Sequence, residues 1–338
     1  MLIKFAPKFW LKTSVYAFAL VSGLLTTACG DGGGPKPPPA GAVHYAYVVN
    51  SPSSTTSSNT LAAYSVSSAT GLFAYLGTIA TGNTPVGAVV SPNGSYVYVV
   101  NYMDSTISQY AVNPANGVLT AGATVASASG TQNAAAIAIT PSGKYAYVAN
   151  FTANTIWQYS VSPTTGALSV TAGSTPVSTG TNSYPQGVTV SPDGTNLYVA
   201  NYGATGATGT GSISRYSIDA VTGALTFFSK VTLGGGLTPS GIAISASGNY
   251  AYVIDYNQNS ISQYAITSGV IATTPLLTVA TGTNPNGLSI GRDGLYLYVA
   301  NSRDGTVGQF AINSTTGALT LNAIMNTGTG SLPMGIAL

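Results

Sequence analysis

Ser191-Pro192-Asp193-Gly194-Thr195-Asn196-Leu197-Tyr198-Val199-Ala200-Asn201 decides the fold, because the chain writes it six times with variations. The other copies end in Tyr47-Val48-Val49-Asn50, Tyr98-Val99-Val100-Asn101, Tyr147-Val148-Ala149-Asn150, Tyr252-Val253-Ile254-Asp255 and Tyr298-Val299-Ala300-Asn301. They recur about every 50 residues, the period of a propeller blade.

One copy, read outward from this core, contains four strands. Val86 to Val90 is a short apolar strand, and Ser91 to Gly94 turns the chain with Asn93-Gly94 at the tip. Such a tip suits a tight hairpin with positive φ at both positions. Tyr96 to Val100 is the second strand, Asn101 to Ser105 a turn, and Thr106 to Val112 an alternating third strand. Asn113 to Gly117 turns again, and Val118 to Val125 is the fourth strand. Four antiparallel strands joined by hairpins make one blade. The ends of the chain are offset: it enters its first blade at a second strand, His44 to Asn50, and stops after a first strand, Gly335 to Leu338. Pairing these two segments closes a ring and removes open sheet edges. The expectation is an all-β propeller over residues 43–338, with six four-stranded blades and seven as the alternative count.

The composition follows from this architecture. The chain is 45% hydrophobic and 5% charged, against roughly 25% charged in ordinary domains. Blades covered on both faces read as continuous small apolar runs, and a surface so enclosed solvates little charge. Glycine and alanine allow close approach near the axis. Glu is absent, and three of the nine Lys/Arg (Lys4, Lys8, Lys12) precede the single Cys29. The remaining six cations face seven Asp, so there is no basic stripe for nucleic acid. One cysteine excludes an internal disulfide.

Residues 1–28 carry those lysines, an apolar run from Val15 to Leu25, and small residues Thr26-Thr27-Ala28. This is the layout of a secretory signal. The stretch between Lys12 and Cys29 is about 16 residues, short of the roughly 20 that span a bilayer. Leu25-Thr26-Thr27-Ala28-Cys29-Gly30 resembles a bacterial lipobox. The resemblance implies acylation of Cys29 and, with Gly30 in place of Asp, an outer-membrane lipoprotein facing the periplasm or the surface. Residues 29–42, rich in Gly and Pro, read as a tether.

The S-P-D-G-x-x-x-Y-V-x-N core, the I-S-x-Y strand and the T-G-A-L turn resemble the YVTN β-propeller repeat. Together they are similar to lactonase-like propellers of the 6-phosphogluconolactonase type, across residues 43–338. That family is usually seven-bladed. The resemblance implies lactone ring opening by His, Glu and Arg side chains near the channel. Here the only histidine, His44, stands at an edge position. Asp193 and Asp293 lie at hairpin tips, Asp104 and Asp304 in the turn after a second strand, and Asp219 in the turn after a third. All five suit turn geometry. Asp255 alone replaces the repeat's Asn, and Arg215 replaces the Gln of Gln109, Gln158, Gln263 and Gln309. No spacing supports a triad, a zinc site or a phosphate cradle. No catalytic residue, metal or cofactor is therefore expected. A lactone hydrolase would have to rely on Asp255 with Arg303 or Arg215.

What remains is a polar, aromatic rim. Turns after the second strands place Asn50, Asn101, Asn150, Asn201, Asp255 and Asn301 on one face, beside Tyr102, Phe151, Tyr202 and Tyr256. Two longer insertions, Ser51 to Asn59 and Gly203 to Gly211, rise from the same face. Uncharged amides with rings suit a neutral glycan or peptide, although an Asn in nearly every blade equally suits turn closure. The candidate ligand residues are Asn101, Tyr102, Asn150, Phe151, Asn201, Tyr202, Asp255, Tyr256 and Asn301. The expected function is a monomeric, membrane-anchored binding or scaffold module; the alternative is a lactonase-like hydrolase.

Overall fold

The structure, a computed structural model, describes residues 42–52, 59–126, 133–171, 173–203, 211–328 and 331–338. The leader, Cys29, nearly all of the tether and most of both insertions lie outside the described residues.

The repeats form six antiparallel sheets, one per blade. Blade 2 is built of Pro85–Val90, Tyr96–Asn101, Thr106–Val112 and Leu119–Ala126, within a residue or so of the sequence expectation. Blades 4 and 6 follow the same plan from Pro185–Val190 and Pro285–Ile290. Blades 3 and 5, which start at Ala134–Ile139 and Pro239–Ile244, have an interrupted fourth strand. Blade 1 joins the two ends of the chain: Ser331–Ala337 pairs with Ala42–Pro52, with Tyr47 opposite Ala337 and Val49 opposite Gly335. The first strand of each blade lies against the first strand of the next, all the way round. The ring is closed, with six blades.

Turn chemistry differs from expectation in one respect. In Ser91-Pro92-Asn93-Gly94 only Gly94 has positive φ, at 73°. Asn93 instead uses its side-chain oxygen, which accepts from the Ser91 hydroxyl at 2.7 Å and from the Ser95 amide at 3.0 Å. The turn is therefore a wider one held by an Asx-type bond.

Small residues set the packing at the axis. Gly87, Ala136, Gly187, Gly241, Gly287 and Gly335 occupy equivalent places. A Cβ on Gly187 would sit 2.7 Å from the Gly241 Cα, and one on Gly287 2.7 Å from the Gly335 Cα. Between blades the core is apolar, as where Tyr98, Val100 and Ile107 meet Ile137, Val148 and Tyr159.

The signature residues clasp neighbouring blades. The hydroxyls of Tyr98, Tyr147, Tyr198, Tyr252 and Tyr298 donate to the carbonyls of Gly166, Gly223, Gly269, Gly317 and Gly71. Each acceptor is the turn glycine between the third and fourth strands of the next blade. Beside them Gln109, Gln158, Gln263 and Gln309 donate to Thr165, Thr222, Thr316 and Thr70 carbonyls at 2.7–2.9 Å. Arg215 does the same work in blade 4, donating to the Ser268 carbonyl at 3.0 Å and lying 4.1 Å from the Phe228 ring centroid. Burial pushes the clasp phenols up, that of Tyr252 to about 12. Tyr216, buried in the seam between blades 3 and 4, is also raised to about 12 by burial.

Candidate functional site

First strands start, and second strands end, on the face that carries the blade-to-blade loops. The candidate rim residues belong to this loop face. The asparagines, however, do not form a rim. Asn50, Asn101, Asn150, Asn201, Asp255 and Asn301 are at most 4% exposed. They turn inward, and Asn101, Asn201 and Asn301 tie the strand end to the neighbouring third strand. Asn101 donates through Nδ2 to the hydroxyls of Thr106 and Ser108, both at 2.9 Å. Asn201 does so to Ser212 and Ser214, and Asn301 to Thr306. Asp255 accepts from the Thr238 and Gln258 amides at 2.8 and 2.7 Å. Repeat periodicity predicts these positions but does not tell an inward amide from an outward one.

The rings fare differently. Tyr102, Phe151 and Tyr202 are half-buried and come together around Phe151, at centroid distances of 6.2 Å to Tyr102 and 6.5 Å to Tyr202. A fourth ring, Tyr184, lies 5.1 Å from Phe151; sequence reasoning missed it because it precedes a first strand rather than following a second. The Tyr184 backbone has φ of 48°. It is held there by its amide, which donates to Asn154 Oδ1 at 2.8 Å. Thr84 and Asn284 are bound in the same way to Asn59 and Asn259. Tyr256 is half-buried and shares no ring contact with the cluster among the described residues.

At the axis, pairing between first and second strands slips by one residue in every blade, as between Pro85 and Gly87 or Pro185 and Gly187. The residue in the slip is a β-bulge: Met334, Val86, Ala135, Gln186, Ser240 and Asn286 in blades 1 to 6. Five of these residues, all but Met334, line a cavity of about 70 Å³ at the mouth, and the channel continues into one of about 250 Å³ toward the opposite face. Each first strand is the terminal member of its sheet, so its unpaired backbone edge borders this space. The channel offers main-chain donors and acceptors beside mostly small and apolar side chains, with Gln186, Ser240 and Asn286 among them at the mouth.

Charged groups are few and mostly engaged. Asp104 and Asp304 are exposed on the loop face; each accepts a backbone amide at 2.6 Å, from Asn83 and Thr283. Arg215 also donates to Asn196 Oδ1 at 2.8 Å and serves the far face, so it cannot act with Asp255. Arg292, also on the far face, reaches from blade 6 past blade 1 to donate to the Ser91 carbonyl at 3.2 Å.

Several solved structures share this fold. A candidate 6-phosphogluconolactonase of Bacteroides uniformis is 18% identical, with a TM-score of 0.64, covering 86% of this chain and 98% of its own. One of Bacteroides fragilis is 20% identical at the same TM-score, covering 89% and 85%. The periplasmic gluconolactonase of Pseudomonas aeruginosa is 18% identical with a TM-score of 0.63, covering 85% and 84%. No curated protein matches the chain. The family model described as lactonase, 7-bladed β-propeller, matches residues 40–128, 88–235 and 232–329. A match that runs through every blade makes this protein a member of the lactonase propeller family, with six blades where the family description has seven.

Proposed function

We propose that the protein opens an uncharged lactone of the sugar class at the mouth of the loop face. The observation that carries this reading is the lactonase family match along the whole propeller; the gluconolactonase likeness of one structural neighbour agrees with it. Charge selects the neutral substrate. Arg303 follows a second strand and is followed at once by Asp304, while Asp104 and Asp255 add negative charge on the same face. Residues 53–58, 127–132 and 204–210 contain no charged side chain. A phosphate ester would meet no concentrated positive field there.

In the reaction, water adds to the lactone carbonyl, the ring C–O bond breaks, and a hydroxy acid leaves with loss of a proton. The half-buried rings of Tyr102, Phe151, Tyr184 and Tyr202 supply a platform for an apolar sugar face. Asp104 and Asp304 can take the proton from water, since a carboxylate that accepts one amide bond keeps further acceptor sites. The purified propeller should accelerate hydrolysis of glucono-δ-lactone, followed by pH-stat, and favour it over the 6-phosphorylated lactone. Asp104→Asn and Asp304→Asn together should cut that rate at least tenfold. A rate equal to the spontaneous one sinks the reading. A second reading, binding without turnover, is favoured by one observation. Each described Asp accepts a backbone hydrogen bond. Saturable lactone binding with no acceleration would support it.

A further inference from the structure

The bulge at the axial mouth has the same frame in every blade but a different residue within it. Pro-x-Gly surrounds the bulged position in five blades and Ala134-x-Ala136 in blade 3. Frame residues are explained by packing: the ring glycines sit where a Cβ would strike the next strand. The residue between them is free to vary, and a bulge re-aims its side chain. In ring order the six are Met334, Val86, Ala135, then Gln186, Ser240, Asn286. The mouth is thus apolar through blades 1, 2 and 3 and polar through blades 4, 5 and 6.

The polar half is not self-satisfied. Ser240 spends its hydroxyl on the Pro285 carbonyl at 3.0 Å. Among the described residues, Gln186 Oε1 is buried with no partner, and Asn286 Nδ2 reaches only the Met334 sulfur at 3.8 Å. An acceptor and a donor therefore flank Ser240, opposite a wall without polar side chains. The cavity that these residues line, about 70 Å³, is too small for a sugar ring, so a ligand rests at its opening rather than inside it. We propose that the six bulge residues read the ligand. Gln186 accepts from a ligand hydroxyl, Asn286 donates to a carbonyl or ring oxygen, and Met334, Val86 and Ala135 cover the apolar side of a neutral, six-membered ring. This deepens the lactone reading and rests on it for the choice of probe.

The test uses glucono-δ-lactam, an isostere that does not hydrolyse, titrated calorimetrically into the whole propeller. Wild-type protein should bind it, and Gln186→Leu and Asn286→Leu should each weaken binding about tenfold, as expected for one lost hydrogen bond to a buried partner. Gln186→Met keeps the volume and should do the same; unchanged melting temperatures would show that the ring is intact. Lactam binding that depends on Gln186, without any lactone hydrolysis, leaves this proposal standing and removes turnover. Binding unaffected by all three variants overturns it, as does absence of lactam binding even where hydrolysis is measured.

Discussion

Tyr298 is one side chain that holds two blades together. Its ring is buried in the seam between blades 6 and 1, and its hydroxyl donates to the Gly71 carbonyl at 2.8 Å. Tyr298→Phe removes the donor and strands a buried carbonyl, a loss of about 1–3 kcal/mol. Tyr47 makes the corresponding bond to Gly117 at 3.3 Å, and its blade has Ala63 where four others carry the clasp glutamine and blade 4 carries Arg215. Tyr47→Phe should therefore cost less. Urea denaturation of both variants checks the order, and equal losses would contradict the clasp account. The sequence displays these tyrosines but conceals their task. Tyr252 and its acceptor Gly317 are 65 positions apart, and no local pattern links them. Asp255 shows the converse. It stands out as the one acidic member of an amide series, yet its carboxylate is occupied by the Thr238 and Gln258 amides.

Among elements, the first strands are the least tolerant. Gly187→Ala would push a Cβ to within 2.7 Å of the Gly241 Cα and 3.0 Å of the Ser240 carbonyl oxygen, both backbone atoms. Overpacking of this kind costs about 1–3 kcal/mol. The variant should melt well below wild type, whereas Ala136→Gly, at the equivalent place in blade 3, should change little beyond the usual glycine cost of about 0.5–1 kcal/mol. Differential scanning calorimetry on the pair decides. The strands themselves were legible, since Val86 to Val90 and Tyr96 to Val100 are runs no other element would bury. The bulges were not. A slip such as Pro185 to Gly187 exists only relative to the partner strand, and Pro-Gln-Gly alone gives no register. The aromatic cluster was half legible for a similar reason: Tyr102, Phe151 and Tyr202 share a repeat position, while Tyr184 reaches them from the next blade's loop.

The whole molecule is a ring of seams filled with neutral phenols, and this gives it an alkaline limit. Burial holds Tyr216 and Tyr252 near 12, above the ordinary value of 10.0, and raises Tyr47, Tyr98, Tyr147 and Tyr298 as well. The fold favours the protonated ring, so this stability is complete below pH 10 and drains away as pH climbs through the raised values. Phenolate absorbance from the seam tyrosines should appear together with loss of β-sheet circular dichroism. Ionisation well before unfolding would show that the seams are wet. The closure of blade 1 carries a consequence for biogenesis. Ser331–Ala337 supplies the partner of Ala42–Pro52, so the first strand of the propeller to be made waits for the propeller's last. Until then the propeller is an arc with two raw sheet edges. Chains stalled before Ser331 should stay open to protease, and chains in which Ser331–Ala337 has cleared the ribosome should become resistant.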